Sequence, residues 1–249
     1  MDQSKPVITP LSSRPPSNAA SSTIYEHPQL YRQLIGALQY LTITRPDIQF
    51  AVQQLCQHMQ TPLLTHYESL KRLLRYIHGS SGTGIPLNKT NLILTGYADA
   101  DWASNNQDRK SISGYCNFLG NSVISWQVKK QTTIARSSTE AEYRALATEA
   151  AEIIWLRQLL ADFHTPQNDP TTVFCDNTSA IALANNPVFH ARTKHIEVDC
   201  HFIRDCIKKK HISVHHICTD DQIADLFTKA LPNSRFKTLA SKLTAATHP

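Results

Sequence analysis

Residues 91–127 read NLILTGYADADWASNNQDRKSISGYCNFLGNSVISWQ, and the pattern of this segment is the strongest indication of the fold class. Asn91–Asp99 is a run of β-forming residues that ends in acids. Ser113–Leu119 and Ser122–Gln127 are also rich in β-formers, and they flank Gly120-Asn121, a pair typical of tight hairpin turns. The stretch therefore predicts three strands, of which the second and third form a hairpin.

Downstream of residue 127, strand patterns alternate with helical ones. A capping box at Ser137–Glu140 predicts a long helix that continues to about Phe163. The elements expected after it are a strand over Thr171–Cys175, a helix through Ala180–Ala184, a helix over Ile196–Lys210, a strand over His211–Cys218, a helix from a capping box at Thr219–Gln222 through Lys229, and a helix over Ser234–Ala245. This order predicts an α/β (mixed α+β) fold, in which helices pack against a mixed sheet.

The segment upstream of residue 91 is helical rather than β-rich. Residues 1–25 are rich in serine and proline, which is typical of a flexible linker. Leucines recur at helical spacing over residues 30–41, a second helix is expected to begin at Pro46, and a capping box at Thr65–Glu68 predicts a third. These three amphipathic helices predict a small bundle.

Composition limits the function. Hydrophobic residues make up 41% of the 249 residues, which is enough for a buried core. None of the seven glycines has the spacing of a phosphate-binding loop, so Walker-type and dinucleotide-binding enzymes are excluded. The net charge of +5 allows a polyanionic partner. Six cysteines without C-x-x-C spacing, no apolar signal segment and no membrane-length apolar run predict a soluble, intracellular, cytoplasmic protein with free thiols and no membrane partner.

Four carboxylates occupy positions where chemistry is expected. Asp99 ends the first strand, Glu142 lies in the first turns of the long helix, Asp176 follows the fourth strand and Asp225 lies in the late helix. If the first and fourth strands are parallel neighbours, Asp99 and Asp176 emerge side by side. Clustered carboxylates suit Mg²⁺, and two such ions can activate water for phosphodiester hydrolysis. Taken singly, each acid also has a structural interpretation as a turn, cap, dipole or solvated residue, with Asp176 as an Asx-turn or N-cap.

Long stretches of the chain resemble Ty1/copia-type retrotransposon Pol polyproteins. The ribonuclease H domain of that family is similar to GYADADWASNNQDRKSISGY (96–115), SSTEAEYRAL (137–146), residues 174–205 and TDDQIADLFTKAL (219–231). YRQLIGALQYLTITRPDIQFAVQQLCQHM (31–59) resembles the thumb-like end of the reverse transcriptase. The resemblance implies a C-terminal polyprotein fragment with a linker (1–25), a thumb-like segment (26–90), a ribonuclease H domain (91–232) and a C-terminal helix and tail (233–249).

The family implies a ribonuclease H fold, with a five-stranded mixed sheet flanked by helices. It also implies an RNA:DNA hybrid as substrate and a mechanism with two Mg²⁺ ions, for which Mn²⁺ is an alternative. Its catalytic and metal-binding acids correspond to Asp99, Glu142, Asp176 and Asp225. No other cofactor is implied, and the missing polymerase part of the polyprotein is an expected partner.

Some assignments stay open at this level. Asp101 lies on the same strand face as Asp99 and is an alternative first ligand, although the surrounding sequence favours Asp99. Glu140 competes with Glu142, but a capping-box role already explains it. His215 or His216 could serve as the histidine that precedes the last acid in cellular ribonucleases H, although the alternating pattern favours strand positions. The Tyr-x-Asp-Asp acids of a polymerase are absent, so DNA synthesis is not expected.

Contacts with nucleic acid are expected on two kinds of side chain. Small polar groups beside the acids can contact the ribose 2′-hydroxyl, which distinguishes RNA from DNA. Basic groups neutralise phosphates. The candidate residues are Ser138, Thr139, Asn177, Thr178, Lys110, Lys130, Arg192 and Lys194. Trp102 is a further candidate for stacking, whereas core packing is favoured for Trp126 and Trp155.

The sequence therefore predicts a metal-dependent endonuclease that hydrolyses the RNA strand of RNA:DNA hybrids. The alternative is a catalytically inactive, nucleic-acid-binding remnant that retains the acids. An integrase-like nuclease on the same fold is disfavoured, because the glutamate lies on the helix directly after the third strand.

Overall fold

The computed structural model describes residues 4–13, 23–105, 108–186 and 196–246. The chain divides into two compact units. One is Leu87–Thr228, and the other combines Met1–Pro86 with Lys229–Pro249. The predicted domain limits at 90/91 and 232/233 differ from the limits of these units by four residues each. The division into domains stays a prediction.

Leu87–Thr228 is built on a five-stranded mixed sheet. Its strands are β1 (Leu94–Asp101), β2 (Ile112–Leu119), β3 (Ser122–Lys130), β4 (Thr171–Cys175) and β5 (Ile212–His216). The spatial order is β3-β2-β1-β4-β5. The β1–β2 and β2–β3 pairs are antiparallel, whereas β1–β4 and β4–β5 are parallel. This topology confirms the predicted ribonuclease H-like architecture of a five-stranded mixed sheet flanked by helices.

Seven α-helices are assigned within the described residues. They are α1 (Pro28–Leu41), α2 (Gln49–Cys56), α3 (Leu64–Gly79), α4 (Ser138–Asp162), α5 (Thr178–Asn185), α6 (Glu197–Lys208) and α7 (Asn233–Leu243). In the sheet unit, buried side chains of α4, α5 and α6 form one core with residues of β1, β4 and β5. None of the helices among the described residues combines the length and the apolarity that crossing a membrane requires.

The long helix α4 begins where its capping box predicts. The Ser137 hydroxyl oxygen accepts the backbone N–H of Glu140 at 3.1 Å, and the Glu140 carboxylate accepts the backbone N–H of Arg136 at 2.9 Å. The first bond satisfies an N–H group that the first turn of a helix leaves without an intrahelical partner, and the second binds the backbone of the residue before the N-cap Ser137. The capping role predicted for Glu140 is therefore confirmed.

The unit that combines the two ends of the chain is helical, with α1, α2, α3 and α7. A two-residue antiparallel pairing joins Thr83–Gly84 to Ala245–Ala246. A 3₁₀ turn, Pro46–Ile48, precedes α2, so the α-helix begins three residues after the predicted start at Pro46. A buried ion pair stabilises this turn, because Arg45 binds Asp47 at 2.7 Å and Asp47 also accepts the Tyr76 hydroxyl at 2.6 Å.

Two predicted helix starts are wrong. The capping box at Thr65–Glu68 does not form, because α3 begins at Leu64 and the imidazole Nδ1 of His66 accepts the Leu63 N–H at 3.0 Å. The predicted helix from Thr219 through Lys229 is replaced by two 3₁₀ helices, Thr219–Asp221 and Ile223–Phe227. The side chain of Gln222 separates them, since its oxygen accepts the Ala224 N–H at 3.2 Å.

Candidate active site

Three acids from distant parts of the sequence meet at one edge of the sheet. Asp99 lies near the end of β1, Asp176 directly follows β4, and Asp225 lies on the 3₁₀ helix Ile223–Phe227. One carboxylate oxygen from each lies within 4.8 Å of the others. Asp99 and Asp225 are fully buried and Asp176 is half-buried. The predicted parallel pairing of the first and fourth strands, which brings Asp99 next to Asp176, is confirmed.

Glu142 reaches the same place from the first turns of α4. Its carboxylate is buried, and it lies within 4.8 Å of both a carboxylate oxygen of Asp176 and the sulfur of Cys175. Asp176 therefore belongs to two groups, one with Asp99 and Asp225 and one with Glu142 and Cys175. The structure thus brings the four predicted acids to one region, with Asp176 at its centre.

Cys175 is a site residue that the sequence analysis missed. Burial, followed by the nearby Glu142 carboxylate, raises the pKa of its thiol. The sulfur donates to Glu142 Oε2 across 4.0 Å and accepts the backbone N–H of Asn177 at 3.4 Å. Sulfur is a soft ligand, whereas Mg²⁺ prefers oxygen, so a hard cation at this site is expected to bind the carboxylates and not the thiol. Its role in this geometry is to contact Glu142.

Two threonine hydroxyls orient the aspartates. The Thr228 hydroxyl donates to Asp99 Oδ2, and the Thr219 hydroxyl donates to Asp176 Oδ2 at 3.0 Å. The sequence pattern predicts a helix-capping role for Thr219, and nothing in the local pattern indicates a role for Thr228. Both contacts join residues far apart in sequence, which local patterns do not reveal.

Gln222 and Gly114 hold the helix that carries Asp225 against the sheet. The buried Gln222 amide donates to the Ala98 carbonyl at 3.0 Å, one residue before Asp99. Gly114 pairs with Asp99 across β1 and β2, and a Cβ there would lie 2.6 Å from Phe227 Cβ. A larger residue at 114 would therefore push the Asp225 helix away from the strand that carries Asp99.

The residues that the sequence analysis leaves open as alternative site residues lie in different surroundings. Asp101 belongs to neither acidic group found in the part of the chain that the structure describes. Glu140 forms an ion pair with Arg144 at 2.6 Å in addition to its capping bond. His215 and His216 are exposed residues of β5, as the alternating pattern predicts, and they pair in register with Phe174 and Cys175.

The candidate nucleic-acid contacts lie in several places. Ser138 and Thr139 begin α4, and Ser138 is exposed. Asn177 caps α5, since its side-chain oxygen accepts the Ala180 N–H at 2.9 Å. The cap is therefore Asn177 and not Asp176, so the interpretation of Asp176 as an N-cap is wrong. The exposed Thr178 is the first residue of α5.

The structure describes only some of the basic residues that are candidates for phosphate contacts. Lys130 forms an ion pair with Asp108 at 2.8 Å, and Lys110 lies half-buried in the same turn. Arg192 and Lys194 lie outside the described residues. The six cysteines all lie within the described ranges, and no disulfide joins any two of them there.

The donor set suits a hard divalent cation. Its ligands are carboxylate oxygens, which Mg²⁺ prefers, and the partial exposure of Asp176 leaves a side open to water or substrate. Three carboxylates this close, two of them fully buried, repel one another strongly unless positive charge or protons compensate. A divalent ion between Asp99, Asp176 and Asp225 would supply that charge.

The chain is similar to polyproteins of plant transposons. It is 45% identical over 244 residues to the retrovirus-related Pol polyprotein from transposon RE1 of Arabidopsis thaliana, across 98% of this chain and 17% of that protein. It is 37% identical over 244 residues to the corresponding polyprotein from transposon TNT 1-94 of Nicotiana tabacum, across 95% of this chain and 18% of that protein. The chain therefore spans less than a fifth of these relatives.

Among solved structures, LC11-RNase H1, isolated from compost, is similar at 14% sequence identity and a TM-score of 0.43, covering 59% of this chain and 97% of that one. No family model matches the sequence.

Proposed function

This chain belongs to the retrovirus-related Pol polyproteins of copia-type transposons, and we propose that it is the section that cleaves the RNA strand of RNA:DNA hybrids. The reaction is metal-dependent phosphodiester hydrolysis. The observation that carries this proposal is the convergence of Asp99, Asp176 and Asp225 within 4.8 Å, with Glu142 joined to them through Asp176. The rest of the polyprotein, including a polymerase part, is the proposed partner.

In the proposed mechanism the four acids have related tasks. Asp99, Glu142, Asp176 and Asp225 would hold two Mg²⁺ ions, and Mn²⁺ is the alternative metal. Ions bound there would supply the Lewis acidity that activates a water molecule and stabilises a leaving oxygen. Asp176 contributes to both groups of ligands, so its carboxylate has the central position. Thr228 and Thr219 keep the oxygens of Asp99 and Asp176 oriented through their hydroxyl bonds.

The chain supplies the proposed hybrid contacts around these acids. Ser138, Thr139 and Thr178 offer hydroxyl groups for the ribose 2′-hydroxyl, and Asn177 offers the amide nitrogen left after its capping bond. Lys110 and Lys130, together with Arg192 and Lys194, contact phosphates. The six thiols are consistent with a reducing, intracellular location, which we propose to be the cytoplasm.

The test is a strand-specific cleavage assay on the full chain. Wild-type protein with Mg²⁺ is expected to cut a labelled RNA strand in a hybrid, and excess chelator is expected to stop the reaction. Asp176→Asn keeps the size of the side chain but removes a charge shared by both ligand groups, so kcat should fall at least about a hundredfold.

The control is Asp162→Asn, a substitution at an exposed acid in the last turn of the same α4 that carries Glu142. Its rate is expected to equal that of the wild type. Hybrid binding without metal-dependent cleavage would instead favour the inactive remnant, and an Asp176→Asn protein as fast as the wild type would remove Asp176 from the mechanism.

A further inference from the structure

A large aromatic side chain is exposed close in sequence to one of the proposed catalytic acids. Trp102 directly follows β1, three residues after Asp99, and 45% of its surface is accessible. At the rise of an extended strand, three residues span about 10 Å. The backbone positions of Asp99 and Trp102 are therefore no more than about 10 Å apart.

The polar edge of this indole is already satisfied. Its Nε1–H donates to the Ala135 carbonyl at 2.9 Å. Ala135 belongs to a small buried cluster with Ala100 of β1 and Ala141 of α4, so the bond fixes the ring beside the N-terminus of α4. Because the N–H is bonded to the protein, the surface that Trp102 offers to solvent is apolar and aromatic.

The backbone also holds the ring in place. Ala103 has a φ of 51°, a left-handed conformation that alanine rarely adopts. Its N–H donates to the buried Ser111 hydroxyl at 3.1 Å, which helps to maintain this turn. Backbone strain of this kind persists where surrounding contacts fix it, and it is often found at binding sites.

Exposed groups next to the anchor match the chemistry of a sugar edge. Ile134 precedes Ala135 and is 56% exposed, and Ser138 is an exposed hydroxyl residue in the first turn of α4. An aromatic face, an aliphatic group and a hydroxyl group therefore lie near the start of α4, the helix that carries Glu142. The minor groove of an A-like duplex is wide and shallow, and it displays ribose rings and 2′-hydroxyls.

We propose that Trp102 is a substrate-binding residue whose aromatic face packs against a ribose of the RNA strand, one or two nucleotides from the cleaved phosphate. This inference rests on the proposed function, since it takes the acidic cluster as the point of cleavage. The contact is apolar and independent of phosphate charge. It should therefore contribute to hybrid affinity without changing how that affinity depends on salt.

The experiment compares Trp102→Ala, Trp102→Phe and a matched control, Trp155→Ala. Trp155 is 57% exposed on α4, so the core packing predicted for it is wrong; it lies thirteen residues beyond Glu142, or about 20 Å along the helix. Hybrid affinity is measured by anisotropy of a labelled RNA:DNA hybrid, with Ca²⁺ in place of Mg²⁺ to prevent cleavage. KM and kcat are then measured with Mg²⁺.

Trp102→Ala should weaken hybrid binding about tenfold, as expected when roughly half of an indole surface loses its contact, and KM should rise by a similar factor. The slope of log Kd against log salt should not change. Trp102→Phe loses the bond to Ala135 but keeps an aromatic face, so it should recover most of the affinity. Trp155→Ala should bind like the wild type.

The outcomes separate this inference from the proposed function. If the wild type cleaves the hybrid while Trp102→Ala and Trp155→Ala bind it equally well, the inference is overturned and the function stands. If Trp102→Phe binds as weakly as Trp102→Ala, the aromatic contact is also overturned, because the lost hydrogen bond to Ala135, which is common to both variants, then explains the weaker binding. If the wild type binds no hybrid, both proposals fail.

If the Trp102→Ala protein does not fold, a second measurement tests the inference. Quenching of tryptophan fluorescence by the hybrid is compared between the wild type, Trp102→Phe and Trp155→Phe. The quenching should be lost only in Trp102→Phe. Equal quenching in all three proteins would overturn the inference.

Discussion

At the scale of single residues, Asp99 and Asp101 show how two acids on one strand differ. Both lie on the same face of β1, but only Asp99 is fully buried and within 4.8 Å of carboxylate oxygens of Asp176 and Asp225. The Thr228 hydroxyl fixes one oxygen of Asp99 in addition. The geometry therefore favours Asp99 over Asp101 as the ligand from this strand.

We expect Asp99→Asn to reduce kcat at least about a hundredfold, because it removes a buried ligand charge. Asp101→Asn should retain most of the wild-type rate. Both are measured in the same hybrid cleavage assay at saturating Mg²⁺. The reverse pattern, with a fast Asp99→Asn and a slow Asp101→Asn, would assign the ligand to Asp101.

At the scale of elements, the 3₁₀ helix that carries Asp225 depends on Gln222. The Gln222 side chain donates to the Ala98 carbonyl and accepts the Ala224 N–H, so one buried amide joins this helix to β1. Gln222→Ala leaves both backbone groups without these bonds. We expect it to lower the free energy of unfolding by about 1–3 kcal/mol, measured by urea denaturation, and to lower kcat by displacing Asp225.

The control for Gln222 is Gln158→Ala on α4, where the amide makes an exposed 3.2 Å bond to Asp162. This change should alter stability by less than about 0.5 kcal/mol. Equal stability of Gln222→Ala and Gln158→Ala would show that the buried amide does not hold the two elements together.

The start of α3 provides a pH-dependent contact. Burial and the stacked ring of His58, 3.6 Å away, lower the pKa of His66 to about 4. The neutral ring accepts the Leu63 N–H. Because the folded pKa lies below the unfolded value of about 6.5, this stabilisation is complete above pH 6.5 and is lost as the pH falls towards 4.

We therefore expect the thermal midpoint of the wild type to fall more between pH 7 and pH 5 than that of His66→Asn, which keeps an acceptor that does not titrate. The midpoints are compared by circular dichroism at both pH values. Parallel losses in the two proteins would exclude His66 as the titrating group.

Sequence patterns were sufficient for elements whose signals are local. The hairpin at Gly120-Asn121, the capped start of α4 and the strand Thr171–Cys175 all follow from residues within a few positions. The patterns failed at Thr65 and Thr219, where apparent capping boxes do not form. At Thr219 the reason is tertiary, because its hydroxyl donates to Asp176 and Gln222 binds a distant strand.

The same distinction applies to the candidate site. The acids could be selected because they follow strands or begin a helix, and strand order then predicts which edge they share. Cys175, Thr228 and Gln222 could not be selected, since their roles depend on partners 33, 129 and 124 residues away in sequence.

At the scale of the whole molecule, the four acids all lie in one of the two compact units, Leu87–Thr228. The chain as a whole carries a net charge of +5, but negatively charged side chains are concentrated at this edge of the sheet. Such a concentration is most simply stabilised by divalent cations. We therefore propose that Asp99, Asp176 and Asp225, with Glu142, form one metal-binding pocket.

The most direct measurement is anomalous diffraction from crystals of the full chain soaked in Mn²⁺. We expect an anomalous peak bonded to oxygens of Asp99, Asp176 and Asp225, and we expect this peak to be lost in Asp176→Asn crystals. Well-ordered carboxylates with no peak between them at saturating Mn²⁺, or a peak held only by other residues, would contradict it.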